Sequence, residues 1–460
     1  MRIRRRKGDA GLEDEKMMRV WKRRQITTFR VISLGFFAAI ITGTMLLMLP
    51  WATRGPGGAA FVDALFTSVS AVCVTGLVVQ DTAAYWSWFG QVVILVMIQT
   101  GGLGVVTIAL MITKVSGRKI GLMQRETMKD AISAPRVGGI VRMTGFIFRA
   151  VVLIELLGAA VLATVFCRQY GLIKGIWYAL FHAVSAFCNA GFDLNGVREP
   201  FSSLTAYAVQ PVVNVTIMVL IIVGGIGFFT LEDMVKNKWH LRKYSMQSKV
   251  VLSVTVCLLI LPAVYFYFCE FAEMSPDRRL FGAVFQTVTT RTAGFNSVDL
   301  TKISEVGIMI MILLMLVGGS PGSTAGGMKT TTLAVLFSTA FSVFGRRNEV
   351  HFFGRRIAEE TIKEAMTVLM MYLTLFLGGG MMVSRFEELP LLTAFFETGS
   401  AIATVGLSLG VTPGLSLPSK MILILLMFLG RVGGLTIIFA AVSGKHVNIS
   451  KYPLEKITVG

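Results

Sequence analysis

The sequence is short of charged side chains, and acidic ones are scarcer than basic ones. Only 15% of its 460 residues are charged, with 26 Asp and Glu against 44 Lys and Arg. Soluble chains of this length normally carry more charge, whereas here 54% of residues are hydrophobic and the mean hydropathy is +0.70. The composition therefore predicts that most of the chain lies in a lipid bilayer.

Cysteine and histidine are also scarce. Five cysteines and four histidines lie far apart, without CxxC or Cys/His spacing, so we expect no disulfide framework, zinc site or haem site, and no covalently bound cofactor. A membrane-surface enzyme such as an acyl or glycosyl transferase would need carboxylates or histidines clustered at one membrane depth, and none are clustered in the sequence. The basic residues are not gathered with aromatics in one domain, which argues against nucleic-acid binding.

What the sequence has in abundance is hydrophobic blocks near the length that crosses a bilayer as a helix. The eight blocks span residues 31–49, 89–112, 146–165, 211–229, 250–268, 308–317, 366–383 and 421–442. The sixth block needs residues beyond Gly327 to be long enough. The N-terminal segment is too long and too charged in both signs for a signal peptide, so we expect the first block to be retained.

The basic residues lie in alternate connections between these blocks. Residues 1–30, 114–149, 236–249, 345–363 and 445–460 together hold 32 of the 44 Lys and Arg. The positive-inside rule then predicts a multi-pass protein of the plasma membrane with both termini cytoplasmic, which agrees with an even number of spans. The basic runs are expected to contact anionic lipid, and a docking surface for a cytoplasmic partner is the alternative.

Four short segments of the chain align with one another. They are ALFTSVSAVCVTG at 64–76, ALFHAVSAFCNAG at 179–191, AVFQTVTTRTAG at 283–294 and AFFETGSAIATVG at 394–406. Each is too short to span a membrane and lies between spanning blocks, which is the pattern of a re-entrant half-helix. Each is followed by a glycine cluster, at 101–104, 224–227, 318–321 and 430–433.

These repeats predict an all-α integral membrane protein with eight transmembrane helices and four re-entrant pore helices. Its four helix–pore loop–helix repeats would surround one central pore. The predicted divisions are a cytoplasmic basic N-terminal arm (1–28), pore repeats at 29–115, 116–235, 236–345 and 346–444, and a cytoplasmic C-terminal tail (445–460). The repeats run parallel, which argues against a carrier built from inverted repeats.

The loop glycines have a direct physical use in an ion pathway. A dehydrated cation needs several oxygen ligands, and backbone carbonyls supply them without a net charge that would trap the ion. Glycine adopts the required backbone angles cheaply and leaves the axis open, while the half-helix dipoles favour a cation at their C-terminal ends. The predicted selectivity filter, which binds K⁺ through backbone carbonyls, comprises Val74, Thr75, Gly76, Asn189, Ala190, Gly191, Thr292, Ala293, Gly294, Thr404, Val405 and Gly406.

At these residues the sequence resembles the Ktr/Trk/HKT superfamily of K⁺ transporters, and most closely its Ktr-type membrane subunits. The resemblance covers residues 30–460 and is carried by VCVTGL (72–77), FCNAGFD (187–193), TRTAGFN (290–296), ATVGLS (403–408) and GGSPGSTAGGMKTTT (318–332). It implies K⁺ uptake through a four-glycine filter, a homodimer, and gating by a cytoplasmic nucleotide-binding regulatory ring of the KtrA type. Any nucleotide would be bound by that separate subunit.

The resemblance also bears on ion preference. Members with serine at the first filter position tend to pass Na⁺, and this chain has Gly76, so K⁺ is the expected ion. A Na⁺-selective or poorly selective transporter of the same fold is the alternative. The long basic N-terminal arm departs from the family pattern, so no regulatory role is carried over to it.

The sixth block is interrupted by a stretch that cannot continue a straight helix, because residues 318–327 hold five glycines and a proline. Irregular backbone at membrane depth must be buried in protein or line a water-filled path. We expect an intramembrane gate below the filter, matching the loop that has this role in the family; a simple helix kink is the alternative. A phosphate-binding loop is disfavoured because the Gly-Lys-Ser/Thr ending is missing. The predicted gate residues are Gly318, Gly319, Ser320, Gly322, Ser323, Thr324, Gly326, Gly327, Lys329 and Arg431.

Arg431 is a cation placed within a hydrophobic block, at a cost of roughly 2.5 to 3.5 kcal/mol if it faced lipid. We expect it to lie beneath the filter, where it would repel a waiting cation and order the gate loop; pairing with Glu155 or Glu397 is the alternative. A second group of polar residues near the loops could draw cations to the outer mouth. These are Asp63, which could instead cap a helix, Asp193, Asn296 and Glu397.

Overall fold

The computed structural model describes residues 28–105, 107–108, 122–131, 139–197, 199–347 and 349–433. The predicted C-terminal tail, nearly all of the N-terminal arm and the end of the eighth predicted span lie outside these residues. The described part is helical apart from a small antiparallel hairpin, in which β1 (His351–Phe352) pairs with β2 (Arg355–Arg356). This agrees with the predicted helical fold class.

The helices follow the predicted order of long helix, half-helix and second long helix. In the first two repeats they are α1 (Thr28–Leu47), α2 (Phe61–Val72), α3 (Thr82–Tyr85), α4 (Trp88–Leu103), α5 (Leu122–Ala131), α6 (Ile140–Tyr170), α7 (Leu172–Phe187), α8 (Pro211–Ile226) and α9 (Phe228–Asn237). In the last two they are α10 (Met246–Tyr265), α11 (Pro276–Thr289), α12 (Glu305–Leu316), α13 (Thr330–Phe344), α14 (Glu359–Glu387), α15 (Leu391–Ile402) and α16 (Leu417–Val432). A π-helical turn, Phe266–Glu270, extends α10. Short 3₁₀ turns lie at Pro50–Ala52, Asn195–Val197, Thr205–Tyr207, Leu241–Lys243, Leu300–Lys302 and Thr412–Gly414.

Four described helical segments are long and apolar enough to cross a membrane, namely Arg30–Leu47, Ile140–Tyr170, Met246–Glu270 and Glu359–Glu387. They are the first long helix of each repeat. The second long helices are shorter or interrupted in the described residues. Helix α8 meets α9 at an angle of 99°, and 13 residues separate the end of α12 at Leu316 from the start of α13 at Thr330.

The break after α12 agrees with the expected interruption, but the bend between α8 and α9 departs from the single span expected at 211–229. The bend falls at Gly227, whose φ is +96°. At the bend the amide of Phe228 donates to the carbonyl of Gly322 at 2.8 Å, and a Cβ on Gly227 would lie 2.7 Å from Pro321 O. The interrupting loop of the third repeat thus contacts the second repeat at this bend.

The four half-helices form the centre of the molecule. The third residue of each aligned segment is a fully buried phenylalanine: Phe66, Phe181, Phe285 and Phe396. The first long helices surround this centre and expose large apolar side chains outward, among them Leu34, Leu153, Leu261 and Met370. Apolar exposure around a buried polar interior is the arrangement expected in lipid.

Candidate ion pathway

Each half-helix ends just before its loop glycine, and the loop backbone then alternates in the sign of φ. In the first repeat Val74 has φ +56° and Gly76 has φ +90°, while Thr75 between them is not in the positive region. The same alternation holds at Asn189 and Gly191 (+57° and +68°), Thr292 and Gly294 (+66° and +78°), and Thr404 and Gly406 (+52° and +94°). All four repeats therefore use one loop conformation.

This conformation is costly for the residues that are not glycine. Positive φ is unfavourable for β-branched side chains such as Val74, Thr292 and Thr404, at roughly 1 to 3 kcal/mol each. An ordinary extended strand points successive carbonyls to opposite sides, whereas alternation of the sign of φ turns successive carbonyls toward one side. The strained conformation thus allows successive backbone carbonyls of each loop to point to the same side.

The four glycines lie against one another in a closed ring. A Cβ added to Gly76 would lie 3.1 Å from Cα of Gly191, and one on Gly191 would lie 3.0 Å from Cα of Gly294. The series continues from Gly294 to Gly406 at 3.2 Å and from Gly406 back to Gly76 at 2.9 Å. A side chain at any of the four positions would collide with its neighbour, so glycine is required by space as well as by φ. The twelve residues predicted as a filter are thus together at one place in the structure.

A hydroxyl near the end of each half-helix forms a hydrogen bond with the following loop, and these four hydroxyls were not among the predicted site residues. The Gly76 and Gly406 amides donate to Ser70 Oγ and Ser400 Oγ at 3.1 and 3.0 Å. In the other repeats the hydroxyl donates to the chain just past the glycine, Ser185 Oγ to Phe192 O at 2.7 Å and Thr289 Oγ1 to Phe295 O at 2.6 Å. All four occupy the seventh position of the aligned segments, which is the signal that could have revealed them.

The fourth position of the aligned segments holds a buried polar side chain that fixes the chain beyond the glycine in three repeats. His182 Nε2 lies 3.4 Å from the amide of Leu194, and Gln286 Nε2 donates to Asn296 Oδ1 at 3.4 Å. In the fourth repeat, Glu397 accepts from the Ser408 and Thr412 hydroxyls and the Leu409 amide. Their distances are 2.7, 2.5 and 2.9 Å.

One prediction for the outer mouth and one alternative to such a prediction are therefore wrong. Glu397 is fully buried and its carboxylate is occupied by hydrogen bonds within the fourth repeat, so it does not face incoming ions. The suggestion that Asp63 caps a helix also fails, because α2 begins after Ala60 and Asp63 lies within its first turn. Its carboxylate accepts from Gln80 Nε2 at 3.0 Å.

Glycines of the second long helices pack on the last carbonyls of the half-helices. A Cβ on Gly101 would lie 2.0 Å from Val72 O, one on Gly224 would lie 2.0 Å from Phe187 O, and one on Gly430 would lie 1.9 Å from Ile402 O. The third repeat departs from this pattern, because a Cβ on Gly318 would meet Gly326 O at 2.3 Å. These glycines allow the backbone of the second long helix to approach each loop closely.

Replacing Gly101 with Ala is expected to destabilise the protein, since the new methyl group meets backbone atoms that cannot move aside. Overpacking of this kind costs about 1 to 3 kcal/mol. The measurement is the thermal unfolding midpoint of the purified variant in detergent. Gly378→Ala is the matched control, because this helical position has no atom within 4 Å of the new Cβ and is expected to keep or slightly raise stability. Equal midpoints for the two variants would contradict this account.

The segment between α12 and α13 is an ordered loop, which we name the intramembrane loop (residues 317–329). Its backbone amides at Ser320 and Thr324 donate to the carbonyls of Gly225 and Gly224 in α8, at 2.9 and 3.3 Å. Thr324 Oγ1 donates to the carbonyl of Phe187 at the end of α7, at 2.9 Å. The loop is thus bound to the second repeat by hydrogen bonds rather than only filling a helix kink.

The intramembrane loop also touches the fourth loop of the ring on its half-helix side. A Cβ on Gly326 would lie 2.0 Å from Thr404 Oγ1, and one on Gly327 would lie 3.1 Å from Ala403 O. These contacts are with residues that precede Gly406 in the chain. A cavity lined by the residues at and after the four glycines lies on the other side of the ring. The loop and this cavity therefore face opposite sides of the ring.

Arg431 lies between the intramembrane loop and the first repeat. Its guanidinium donates to the carbonyl of Thr324 through Nη1, and to the carbonyls of Gly101 and Gly102 through Nη2. Arg431 pairs with neither Glu155 nor Glu397, the two acids proposed as alternatives. Glu155 instead accepts from Gln99 Nε2 at 3.2 Å, and Glu397 is bound as described above.

Lys329 is held by the intramembrane loop itself. Its ammonium donates to the carbonyls of Ala325 and Gly326, at 2.9 and 3.4 Å. The remaining hydroxyls of the loop bond within its own neighbourhood, with Ser323 Oγ donating to Ser320 O at 2.6 Å and Ser320 Oγ lying 3.2 Å from Thr330 Oγ1. The ten residues predicted as a gate therefore form one connected structure.

The cavity on the other side of the ring, which we name the vestibule, has a volume of about 160 Å³. Its wall contains all four ring glycines and the residues that follow them. In the described residues, no three His, Cys, Asp or Glu side chains group together in a way that could hold a metal ion. The atom nearest to a Cβ added at each ring glycine is a backbone oxygen, from Ala190, Ala293, Val405 or Thr75.

The fold and site define a class of protein, a helical membrane protein in which four half-helices end at one ring of glycines. Residues 24–449 match the family model described as TrkH, a cation transport protein. The chain belongs to this family. It is therefore a multi-pass membrane transporter of cations and not an enzyme.

Several named proteins are similar to this chain over nearly its whole length. The potassium/sodium uptake protein NtpJ of Enterococcus hirae is 37% identical over 95% of this chain and 98% of its own. The Ktr system potassium uptake protein B of Bacillus subtilis is 38% identical over 98% of this chain and 100% of its own. The crystal structure of the potassium transporter TrkH from Vibrio parahaemolyticus superposes with a TM-score of 0.72 at 17% identity, covering 90% of this chain and 84% of the other. That structural likeness supports the fold.

Proposed function

We propose that this protein takes up K⁺ through a pore whose selectivity filter is the ring of four glycines with the two residues before each. The observation that carries the proposal is the closed ring itself, in which four loops of one conformation bring Gly76, Gly191, Gly294 and Gly406 into mutual contact. Four sets of inward carbonyls can replace the water around a monovalent cation without adding net charge. The names of the relatives in Bacillus subtilis and Enterococcus hirae support K⁺ as the ion.

The proposed topology is eight membrane crossings and four re-entrant half-helices, with both termini cytoplasmic and the protein in the plasma membrane. The four long helices supply four crossings on length and composition alone. The second long helix of each repeat would supply the others, with α8 and α9 bent and α12 and α13 joined by the intramembrane loop. Half-helices that are too short to cross fit this arrangement because their ends are buried against protein.

We propose the intramembrane loop and Arg431 as the gate. The loop contacts Phe187 and Thr404 on the side of the ring away from the vestibule, where an ion leaving the filter would pass. The loop forms a defined set of hydrogen bonds with the second repeat and with Arg431. A gate requires two alternative arrangements, and the loop could exchange these hydrogen bonds for a different set in an open state. The guanidinium adds an electrostatic barrier to a cation at the same place.

A homodimer and a cytoplasmic nucleotide-binding ring are the proposed partners. The Bacillus subtilis and Vibrio alginolyticus relatives are each named protein B of a Ktr system, which supports a multi-component assembly. The cytoplasmic turn at Leu241–Lys243 follows an almost fully exposed Trp239 and carries two basic residues, a combination that also suits anionic lipid at the membrane surface. Purification from native membranes that always yields the chain alone, with full ligand-dependent gating retained in liposomes, would count against the ring.

A second candidate function is uptake of Na⁺ as well as K⁺ by the same pore. The observation in its favour is the printed name of the Enterococcus hirae relative, which includes both ions. Both candidates use the same ring of glycines and differ only in how strongly it discriminates. Competition between the ions decides between them.

The test is uptake of ⁸⁶Rb⁺ by proteoliposomes that contain the purified chain. We expect uptake that unlabelled K⁺ competes for far better than Na⁺ does. Protein-free liposomes of the same lipid composition are the inactive control. Equal competition by Na⁺ would favour the second candidate, and uptake no faster than in the protein-free liposomes would refute both.

A further inference from the structure

The vestibule wall contains one carboxylate that stands out from its equivalents in the other repeats. The residues two positions after the ring glycines are Val78, Asp193, Asn296 and Ser408, and all four line the vestibule. They form a second level of the pathway, just outside the glycines. Asp193 alone carries a charge at this level.

The oxygens of the neighbouring polar residues are already in use. Asn296 Oδ1 accepts from Gln286 Nε2 and from the Val298 amide, and Ser408 Oγ donates to Glu397 while it accepts from the Gly410 amide. Asp81, the other acid of the vestibule, accepts at both oxygens. Its Oδ1 accepts from the Ala83 and Ala84 amides and its Oδ2 from the Phe201 amide, at 2.8 to 2.9 Å.

Asp193 is the exception, because only one of its two carboxylate oxygens accepts a hydrogen bond from the described residues. Its Oδ1 accepts from the Asn195 amide at 2.9 Å, while Oδ2 has no hydrogen-bond donor and no basic partner in the part of the chain that the structure describes. The side chain is half-buried at the vestibule wall. A lone carboxylate oxygen beside a ring of carbonyls attracts cations, and its effect is strongest where the surrounding walls exclude water.

We propose that Asp193 forms an outer cation-binding site in the vestibule, which holds a partly hydrated monovalent cation before the ion loses its water at the glycine ring. This inference rests on the proposed function, because the site has a purpose only if the ring conducts. The vestibule volume of about 160 Å³ leaves room for an ion with part of its water shell. Asp193 would set how readily the pore captures its ion, and the carbonyls would set which ion passes.

The environment of Asp193 makes the site sensitive to external pH. Burial raises the pKa of Asp193 to about 7, with the Asn195 amide lowering it and the Asp81 carboxylate raising it. The other groups facing this region are the Tyr178 hydroxyl, the imidazole of His182, which contacts Leu194 and Asn195, and Arg54, which acts on Tyr178. Since the pKa is raised, the carboxylate is charged above about pH 7 and loses its charge as the pH falls below it.

The experiment measures the half-saturating concentration of ⁸⁶Rb⁺ for uptake into proteoliposomes at low ionic strength. Asp193→Asn keeps the oxygen that accepts from Asn195, so it is expected to fold while it removes the charge. We expect its half-saturating concentration to rise about fivefold at pH 8, with the competition between K⁺ and Na⁺ unchanged. The unchanged chain should show a similar rise between pH 8 and pH 6, which Asp193→Asn should lack, and added inert salt should reduce both effects.

Two further variants separate this role from a structural one. Glu273→Gln removes the same charge from an exposed position away from the vestibule, and it is expected to leave the half-saturating concentration unchanged. Val78→Asp in the Asp193→Asn background returns a carboxylate to the same level on another repeat, and it is expected to restore low-concentration uptake. A structural defect would not be repaired in this way.

The outcomes distinguish this inference from the proposed function. If the unchanged chain transports ⁸⁶Rb⁺ but Asp193→Asn matches it in half-saturation and in pH dependence, the outer site is refuted and the glycine ring stands. An increase of the same size in Glu273→Gln would also overturn the site, because general surface charge would then explain it. Absence of ⁸⁶Rb⁺ uptake by the unchanged chain would refute both ideas.

Discussion

Arg431→Ala is expected to pass K⁺ about a hundredfold faster than the unchanged chain at saturating K⁺, with its ion preference nearly unchanged. A unit charge about 5 Å from the ion path, at an effective dielectric constant near 20, raises the barrier by about 3 kcal/mol. The substitution also removes the donors that join Thr324 of the intramembrane loop to Gly101 and Gly102. Loss of the charge and loss of these hydrogen bonds are both expected to increase the rate of ion passage. The measurement is the initial rate of ⁸⁶Rb⁺ uptake into proteoliposomes of matched protein content.

Arg431→Lys separates the two contributions. Lysine keeps the charge but lacks the planar fork that reaches carbonyls of two different repeats. We expect its rate to lie between that of the unchanged chain and that of Arg431→Ala. If Arg431→Ala folds, reaches the membrane and conducts no faster than the unchanged chain, then Arg431 is structural and the barrier lies elsewhere.

Gly76→Ser is expected to lower the preference for K⁺ over Na⁺ by about tenfold, which corresponds to about 1.4 kcal/mol. The added Cβ would lie 2.4 Å from Ala190 O, so the first and second loops must move apart. The serine hydroxyl then adds a side-chain oxygen to a ring that otherwise consists of backbone carbonyl oxygens. Reversal potentials measured in mixed K⁺ and Na⁺ solutions give the preference directly.

Gly57→Ser is the matched control for Gly76→Ser. Gly57 also has positive φ, +102°, but no atom lies within 4 Å of an added Cβ, so the change carries similar backbone strain without touching the ring. We expect its reversal potential to match that of the unchanged chain. A K⁺-like reversal potential in Gly76→Ser would mean that Gly76 is not part of the filter.

The sequence was sufficient to predict the repeats because each carries two markers in a fixed order. The half-helix segments and the later glycine clusters are local patterns, and their spacing is visible without any structure. The ring contact between Gly406 and Gly76 joins residues 330 positions apart, yet the fourfold alignment predicts it. Internal repetition thus supplied long-range information that a single segment does not contain.

The sequence could not show which partner each polar side chain selects. Glu397 and Asp193 were both predicted for the outer mouth, but the Glu397 carboxylate accepts from three donors, whereas among the described residues Asp193 accepts only from the Asn195 amide. The bend at Gly227 likewise involves a contact with the intramembrane loop, which belongs to another repeat. Because the four repeats differ in their polar side chains, the contacts between repeats cannot be predicted from the pattern that the repeats share.

The glycine ring closes within one chain, and this has a consequence for how the proposed pore can change. In a pore assembled from four identical subunits, every substitution appears four times and the quadrants stay alike. Here each quadrant is encoded separately, so one substitution alters a quarter of the pathway. A guanidinium in one quadrant, a broken helix in another and a single acid in a third can therefore coexist around one axis. In such a pore, a substitution can place a barrier on one side of the pathway, or change the ion ligands of one quadrant, while the other three quadrants stay the same.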